Sequence, residues 1–112
     1  MAIEITGRHI DITDVVKDYA RKKVERLSEE FPRLQSVHVI LDVEKYRHMA
    51  EVVVHGRVHG QVAGRETSGD MYASIDAAID KVERQLRKNR ERMVEHRGAE
   101  KLGDAQEAEP ES

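Results

Sequence analysis

The chain has no cysteine and no tryptophan, and only two prolines among its 112 residues. Without cysteine it cannot form a disulfide, a thiolate zinc site or a cysteine nucleophile. Aromatic side chains make up 4% of the residues, which argues against the base-stacking platforms of single-strand nucleic-acid-binding proteins. The length predicts one domain with a modest hydrophobic core.

Long hydrophobic runs are also missing. No apolar stretch approaches the roughly 18 residues needed to cross a bilayer. The N-terminal residues, MAIEITGRH, lack the basic-then-apolar pattern of a secretory signal. We therefore expect a soluble cytoplasmic protein with no membrane partner.

Charge is abundant, since Asp, Glu, Lys and Arg supply 37% of the residues and the net charge is −3. Four of the 22 acidic residues lie in the last nine positions, where no basic residue occurs. The rest of the chain then carries 18 acidic against 19 basic residues. A nearly neutral body can still bind a polyanion if its basic side chains share one face, because attraction depends on local potential.

Hydrophobic periodicity predicts the element order β-α-β-β-β-α. The predicted elements are a strand over 2–7, a helix over 14–30, strands over 36–44, 49–55 and 61–66, and a helix over 70–97. Strands with one apolar face and helices with one apolar stripe favour an α+β fold, a four-stranded sheet with both helices packed on one face. The other sheet face is then polar and exposed to water.

Local signals set the helix ends. Thr13 is a suitable N-cap for the first helix, and Phe31-Pro32 ends it because the residue before proline is pushed out of the helical region. Asp70 is the predicted N-cap of the second helix, and Gly98 follows its predicted end. Residues 98–112 are rich in Gly, Ala, Glu and Pro without periodicity. We therefore assign residues 1–97 to one folded domain and residues 98–112 to a disordered acidic tail.

The second helix carries two separate stripes. An apolar seam recurs at spacings of three and four; its members are Tyr72, Ile75, Ile79, Val82, Leu86 and Met93. Almost opposite lies a row of basic residues, named here the cationic ridge: Lys81, Arg84, Lys88 and Arg92. The ridge could be an ordinary solvated face, and the seam could pair two chains as a coiled coil. We favour intramolecular packing for the seam because the sheet needs cover and only two helices are available.

Catalytic and metal sites lack a recognisable frame. Six histidines are scattered along the chain without a partner cysteine or an HExxH helix. The glycines of the third and fourth strands do not form a phosphate-binding loop. We expect no enzymatic activity, no metal, no cofactor and no small-molecule substrate.

Basic side chains on both helices are the stronger signal. The first helix has Arg21, Lys22 and Arg26, the connector before it has Arg8, and the second helix adds Arg87 to the ridge. If the helices lie side by side, these residues form one broad patch. Such a patch suits backbone phosphates and RNA shape, with little capacity to distinguish bases.

Three stretches resemble a known family: ITGRHIDIT near the start, the helix from Asp14 to Leu27, and above all DMYASIDAAIDKVERQLRK from Asp70 to Lys88. They are similar to the short ribosome hibernation promoting factors and ribosome-associated inhibitor A, and the likeness covers about residues 2–95. It implies a domain that binds the small ribosomal subunit and 16S ribosomal RNA in the channel for mRNA and tRNA. It also implies inhibition of translation and preservation of idle ribosomes in stationary phase or stress.

The resemblance assigns RNA binding to basic residues at matching positions. They are Arg8, Arg21, Lys22 and Arg26 near the first helix, and Lys81, Arg84, Arg87 and Lys88 on the second. The spacing of the cationic ridge adds Arg92 to the predicted RNA-binding residues. Asp70, Met71 and Tyr72 match the family's helix start. We interpret Asp70 as a cap and Tyr72 as a core residue, and neither as an RNA contact. We expect a monomer when free. The alternatives are a helix-mediated protein-interaction module, a general structured-RNA-binding protein and, third, a small metal-dependent enzyme.

Overall fold

The computed structural model describes the backbone of residues 1–102 and the side chains of residues 1–92. Its elements are β1 (Ala2–Arg8), α1 (Asp14–Glu30), β2 (Leu34–Glu44), β3 (Arg47–Gly56), β4 (Gly60–Ser68) and α2 (Met71–Leu102). The strands form one sheet in the order β1-β2-β3-β4. Strands β1 and β2 are parallel, whereas β2, β3 and β4 are successively antiparallel. The predicted α+β fold and element order are confirmed.

Helix α1 has the predicted bounds. The Thr13 hydroxyl accepts a hydrogen bond from the Val16 amide at 3.2 Å, which satisfies one of the free amides of the first turn. At the other end the Phe31 amide donates to the Leu27 carbonyl at 3.0 Å, and Pro32 follows. Both ends are therefore fixed by the local chemistry that the sequence shows.

The core lies between the sheet and the helices. Alternate residues of β2 and β3 are fully buried, among them Val39, Leu41, Val52 and Val54. Helix α1 covers β1 and β2, and α2 covers β3 and β4. Both helices pack on the same face, as predicted.

Strands β3 and β4 extend beyond their predicted ends. The register continues to the pair His48–Ser68 near the start of β3 and to Gly56–Gly60 at the turn. Ladder hydrogen bonds, which hydrophobic alternation does not reveal, set these ends. Gly60, predicted to lie in the turn, is the first residue of β4 and has the positive φ of 72° that glycine tolerates.

The seam of α2 differs from the prediction at its first turn. Ile75, Ile79, Val82 and Leu86 are buried, but the interpretation of Tyr72 as a core residue is wrong. Tyr72 is 37% exposed and its ring meets that of Tyr19 edge-on, with centroids 4.9 Å apart. The buried positions of this turn belong to Met71 and Ser74. The side chain of Met93 lies outside the described residues.

Ser74 shows why a polar residue can occupy that position. Its hydroxyl donates to the His48 carbonyl at 2.6 Å and lies 2.6 Å from the Ser68 hydroxyl. A buried hydroxyl is tolerated when its hydrogen bonds are made. The Asp70 carboxylate accepts from the Ala73 amide at 3.0 Å, so the predicted N-cap is confirmed.

The prediction that α2 ends at about Arg97 is wrong, because the helix continues to Leu102. A glycine inside a helix costs only about 1 kcal/mol relative to alanine, and the sequence after Gly98 is AEKL, all good helix formers. The helix therefore includes residues 98–102. The remainder of the predicted tail, residues 103–112, lies outside the described residues.

Gly64 allows α2 to approach β4 closely. A Cβ atom added at Gly64 would lie 2.7 Å from the Ala78 carbonyl oxygen, and 3.0 Å from both Lys81 Cβ and Val82 Cγ2. The helix backbone thus rests on the strand with no room for a side chain. This contact holds the start of the cationic ridge beside the edge strand of the sheet.

Candidate nucleic-acid interface

The ridge begins at Lys81, which is anchored to the edge strand. Its ammonium lies 2.7 Å from a Glu66 carboxylate oxygen and donates to the Arg65 carbonyl at 3.1 Å. The hydrogen bond from Lys81 and its positive charge lower the pKa of Glu66. The positive charge of Lys81 is therefore partly neutralised by Glu66 within the protein.

Arg84 and Lys88 are exposed residues of the ridge. Arg84 is exposed and pairs with Asp80 one turn earlier, with 2.6 Å between Nη2 and Oδ2, and this hydrogen bond raises the pKa of Arg84. Exposed pairs of this kind contribute only about 0.3–0.5 kcal/mol, so a phosphate can replace Asp80 at small cost. Lys88 and Arg92 are exposed on the same helix. The side chains of α2 are described as far as Arg92.

Arg87 is exposed but reaches across to α1. Its guanidinium donates to Glu30 at 3.2 and 3.4 Å and to Glu83 at 2.7 Å. The hydrogen bond to Glu30 raises the pKa of Arg87. Hydrogen bonds from Glu83 and Arg87 lower the pKa of Glu30, whereas burial raises the pKa of Glu83. Arg87 is thus part of an interhelical network, in which Arg90 also approaches Glu30 at 3.5 Å.

A second interhelical cluster lies near the start of α2. The Tyr19 hydroxyl donates to Asp76 Oδ1 at 2.6 Å, and Lys23 Nζ lies 3.2 Å from the same oxygen. The hydrogen bond to Asp76 raises the pKa of Tyr19 to about 12. The first cluster joins the middle of α1 to the start of α2, and the second joins the end of α1 to the middle of α2, so the helices run parallel.

Carboxylates line the groove between the parallel helices: Glu30, Asp76, Asp80 and Glu83. Each of them pairs with a lysine or arginine at 3.5 Å or less. The prediction of one broad basic patch is therefore wrong in shape. Each helix has its own basic crest, and a groove of paired charges separates the two crests.

The bases of α1 occupy its exposed surface. Lys22 pairs with Asp18 at 3.2 Å, and Arg26 is exposed at the rim of the groove. At 100° per residue Arg21 falls on the flank of α1 opposite Tyr19. Two of these three residues, Lys22 and Arg26, therefore form the basic crest of α1, which the groove separates from the ridge of α2.

The grouping of Arg8 with the helical bases is wrong. Arg8 is the last residue of β1 and is exposed, with the parity of Glu4 and Thr6. It lines a cleft with Arg47 and Arg65 on the sheet face away from the helices. The alternation of β1, continued one residue past its predicted end, is the signal that places Arg8 there. Arg47 and Arg65 were absent from the predicted site, and their strand parity is the only clue to them.

Among the residues that the structure describes, no cluster of three His, Asp or Glu side chains could hold a metal ion. None of the helices within residues 1–102 is long and apolar enough to cross a membrane.

The fold and its crests define a small α+β domain with basic helical faces over a four-stranded sheet. Residues 3–94 match the family model described as Sigma 54 modulation protein / S30EA ribosomal protein. The chain is 38% identical to the ribosome hibernation promoting factor of Azotobacter vinelandii, over 94% of this chain and 97% of that protein. It is 35% identical to that of Escherichia coli K12, over 86% of this chain and 100% of that protein. The chain belongs to the short ribosome hibernation promoting factor family.

Solved structures agree with this assignment. A ribosomal subunit interface protein from Coxiella burnetii superposes with a TM-score of 0.75 at 26% identity, covering 80% of this chain and 98% of that one. The N-terminal domain of Thermus thermophilus Protein Y gives a TM-score of 0.70 at 33% identity, covering 79% and 98%. The same fold thus occurs in a ribosomal subunit interface protein and in the N-terminal domain of Protein Y.

Proposed function

We propose that the protein is a non-enzymatic ribosome hibernation factor. It binds the small ribosomal subunit in the channel that mRNA and tRNA occupy, contacts 16S ribosomal RNA and keeps idle ribosomes inactive in stress or stationary phase. Its mechanism is steric exclusion, with phosphate contacts as the anchor. A ribosomal partner implies that it acts in the cytoplasm.

Family membership and the names of the relatives support the ribosomal partner. The observation that carries the mechanism is the cationic ridge of α2, where Arg84 and Lys88 are exposed and line one shallow hollow together. Both lie on a helix whose other side is buried in the core. Phosphates can therefore bind this crest without disturbing the fold.

The test is cosedimentation of the full chain with purified small subunits across a salt series. The variant Arg84→Glu/Lys88→Glu should bind more weakly than wild type. Each lost phosphate contact should reduce the slope of log affinity against log salt by about 0.7–0.9. Lys81 is left unchanged because its pairing with Glu66 is also a structural contact.

The matched control is Arg33→Glu/Arg57→Glu, which makes the same change in net charge. Both residues are exposed around a hollow between the start of β2 and the β3–β4 turn, which shares no lining residue with the hollow beside Arg84 and Lys88. This control should bind like wild type. Equally weakened binding by both variants would mean that net charge alone explains the loss. Undiminished binding by Arg84→Glu/Lys88→Glu would refute the assignment of these two residues.

A further inference from the structure

The tip of the β2–β3 hairpin presents an aromatic ring to solvent. The register pairs Glu44 with Arg47, so Lys45 and Tyr46 form a two-residue turn. Tyr46 is 88% exposed, the highest exposure among the large hydrophobic side chains that the structure describes. Lys45 has φ of 57°, a conformation for which glycine or asparagine is favoured in such turns.

A cleft adjoins this tip on the sheet face away from the helices. It has a volume of about 340 Å³ and is lined by Arg8, Arg47 and Arg65 together with Met49 and Thr67. The register explains the grouping, because Arg8, Asp42, Met49 and Thr67 follow one another across the four strands. The cleft is close to the lower end of the range of about 300–1,000 Å³ typical of small-ligand sites.

The charge of the cleft is positive. Its two carboxylates are Asp42 and Glu44, and Asp42 is approached by His9 Nδ1 at 3.2 Å. Within residues 1–92, no carboxylate oxygen lies within 4.0 Å of a guanidinium nitrogen of the three arginines. These guanidinium groups are therefore available to an anion from outside.

Arginine and an exposed aromatic ring together suit a nucleotide. The planar guanidinium matches the geometry of phosphate oxygens, and any nucleobase can stack on an aromatic face. The scarcity of aromatics excludes an extended stacking platform, but one ring at a short, defined turn is sufficient for one base. An acidic peptide would use the arginines and leave the ring without a role.

We propose that this surface, named here the hairpin site, binds an unpaired RNA nucleotide. The base stacks on Tyr46, and Arg8, Arg47 and Arg65 hold the adjoining phosphates. The RNA is that of the ribosome, so the inference rests on the proposed function. The hairpin site lies on the opposite side of the sheet from the helical crests, so that the domain contacts RNA on two faces.

The first measurement is the affinity of the full chain for small ribosomal subunits. Tyr46→Ala should weaken binding by about 5- to 150-fold, the range observed when single stacking contacts are removed, and Tyr46→Phe should keep most of the affinity. Val15→Ala is the matched control, since Val15 is 68% exposed at the start of α1. Circular dichroism and thermal unfolding establish that each variant is folded. Equal affinity of Tyr46→Ala and wild type would overturn the hairpin site and leave the proposed function intact.

The second measurement does not need the ribosome. Binding of a fluorescent single-stranded oligouridylate at low salt should weaken in Tyr46→Ala and in Arg47→Glu, and should persist in Tyr46→Phe. No wild-type binding, or equal binding by Tyr46→Ala, would overturn the hairpin site. If wild type binds the oligonucleotide but not the subunit, the proposed function fails and the nucleotide site stands.

A photocrosslinking residue at position 46 distinguishes RNA from protein as the partner on the ribosome. Crosslinks to ribosomal RNA support the hairpin site. Crosslinks only to ribosomal proteins would assign the tip to a protein contact and overturn it.

Discussion

Replacing Gly64 by alanine tests the close contact that positions α2. The new methyl group would lie 2.7 Å from the Ala78 carbonyl oxygen, which is main chain and cannot rotate away. Two further atoms, on Lys81 and Val82, would lie at 3.0 Å. The helix must therefore move away from β4 or remain strained.

The size of the effect follows from two opposing terms. Forcing an extra methyl into a packed contact costs about 1–3 kcal/mol, whereas replacing glycine restricts the unfolded chain and returns about 0.4–1 kcal/mol. The net loss in the free energy of unfolding should be about 1–2 kcal/mol. For a domain of this size that corresponds to a melting temperature lower by about 4–16 °C.

Urea denaturation and thermal unfolding, both followed by circular dichroism, measure the change. Gly69→Ala is the matched control because a Cβ there meets nothing within 4 Å, and it should leave stability unchanged or raise it slightly. The urea midpoint of Gly64→Ala should fall at constant m value. A Gly64→Ala variant as stable as Gly69→Ala would refute the argument that the helix backbone has no room to yield.

Two further predictions concern titratable groups. Tyr19→Phe removes the hydrogen bond to Asp76 and should lower the free energy of unfolding by about 1 kcal/mol at neutral pH. Because the folded-state pKa of Tyr19 is raised to about 12, this contribution is complete below the unfolded pKa of 10.0 and is lost as the pH rises through the folded pKa. A stability difference between Tyr19→Phe and wild type that stays constant from pH 8 to high pH would contradict it. The pKa of Glu66 is lowered beside Lys81, so the sign is opposite: its contribution to stability is present above the ordinary glutamate pKa of 4.5 and is lost as the pH falls through the folded pKa. On acidification, Glu66→Gln should therefore lose less unfolding free energy than wild type, as measured by urea titrations at a series of pH values. Parallel plots of unfolding free energy against pH for the two proteins would contradict the pairing of Glu66 with Lys81.

Local signals were sufficient for much of the fold. The bounds of α1 follow from Thr13 and from Phe31-Pro32, whose effects act within a few residues. The buried faces of β2 and β3 follow from strict alternation. The ends of β3 and β4 do not, because they depend on partners in another strand, as the pair His48–Ser68 shows.

The candidate site was less accessible to sequence reasoning. Helical spacing placed Arg84 and Lys88 on one crest, where the structure also has them. It could not show that Arg87 turns to Glu30, 57 positions earlier, because an ion pair over that distance leaves no local pattern. The position of Arg8 depended on extending β1 by one residue, and a shift of one residue changes the face of a strand.

The groove between the helices bears on how a bound phosphate backbone would run across the domain. A phosphate backbone lying lengthwise along either crest meets basic side chains whose pairs, such as Arg84–Asp80, exchange at small cost. A backbone crossing from one helix to the other would have to displace the network of Arg87 with Glu30 and Glu83. If the two crests bind phosphates as proposed, the paired charges between them favour RNA strands that run along the helices over strands that cross the groove.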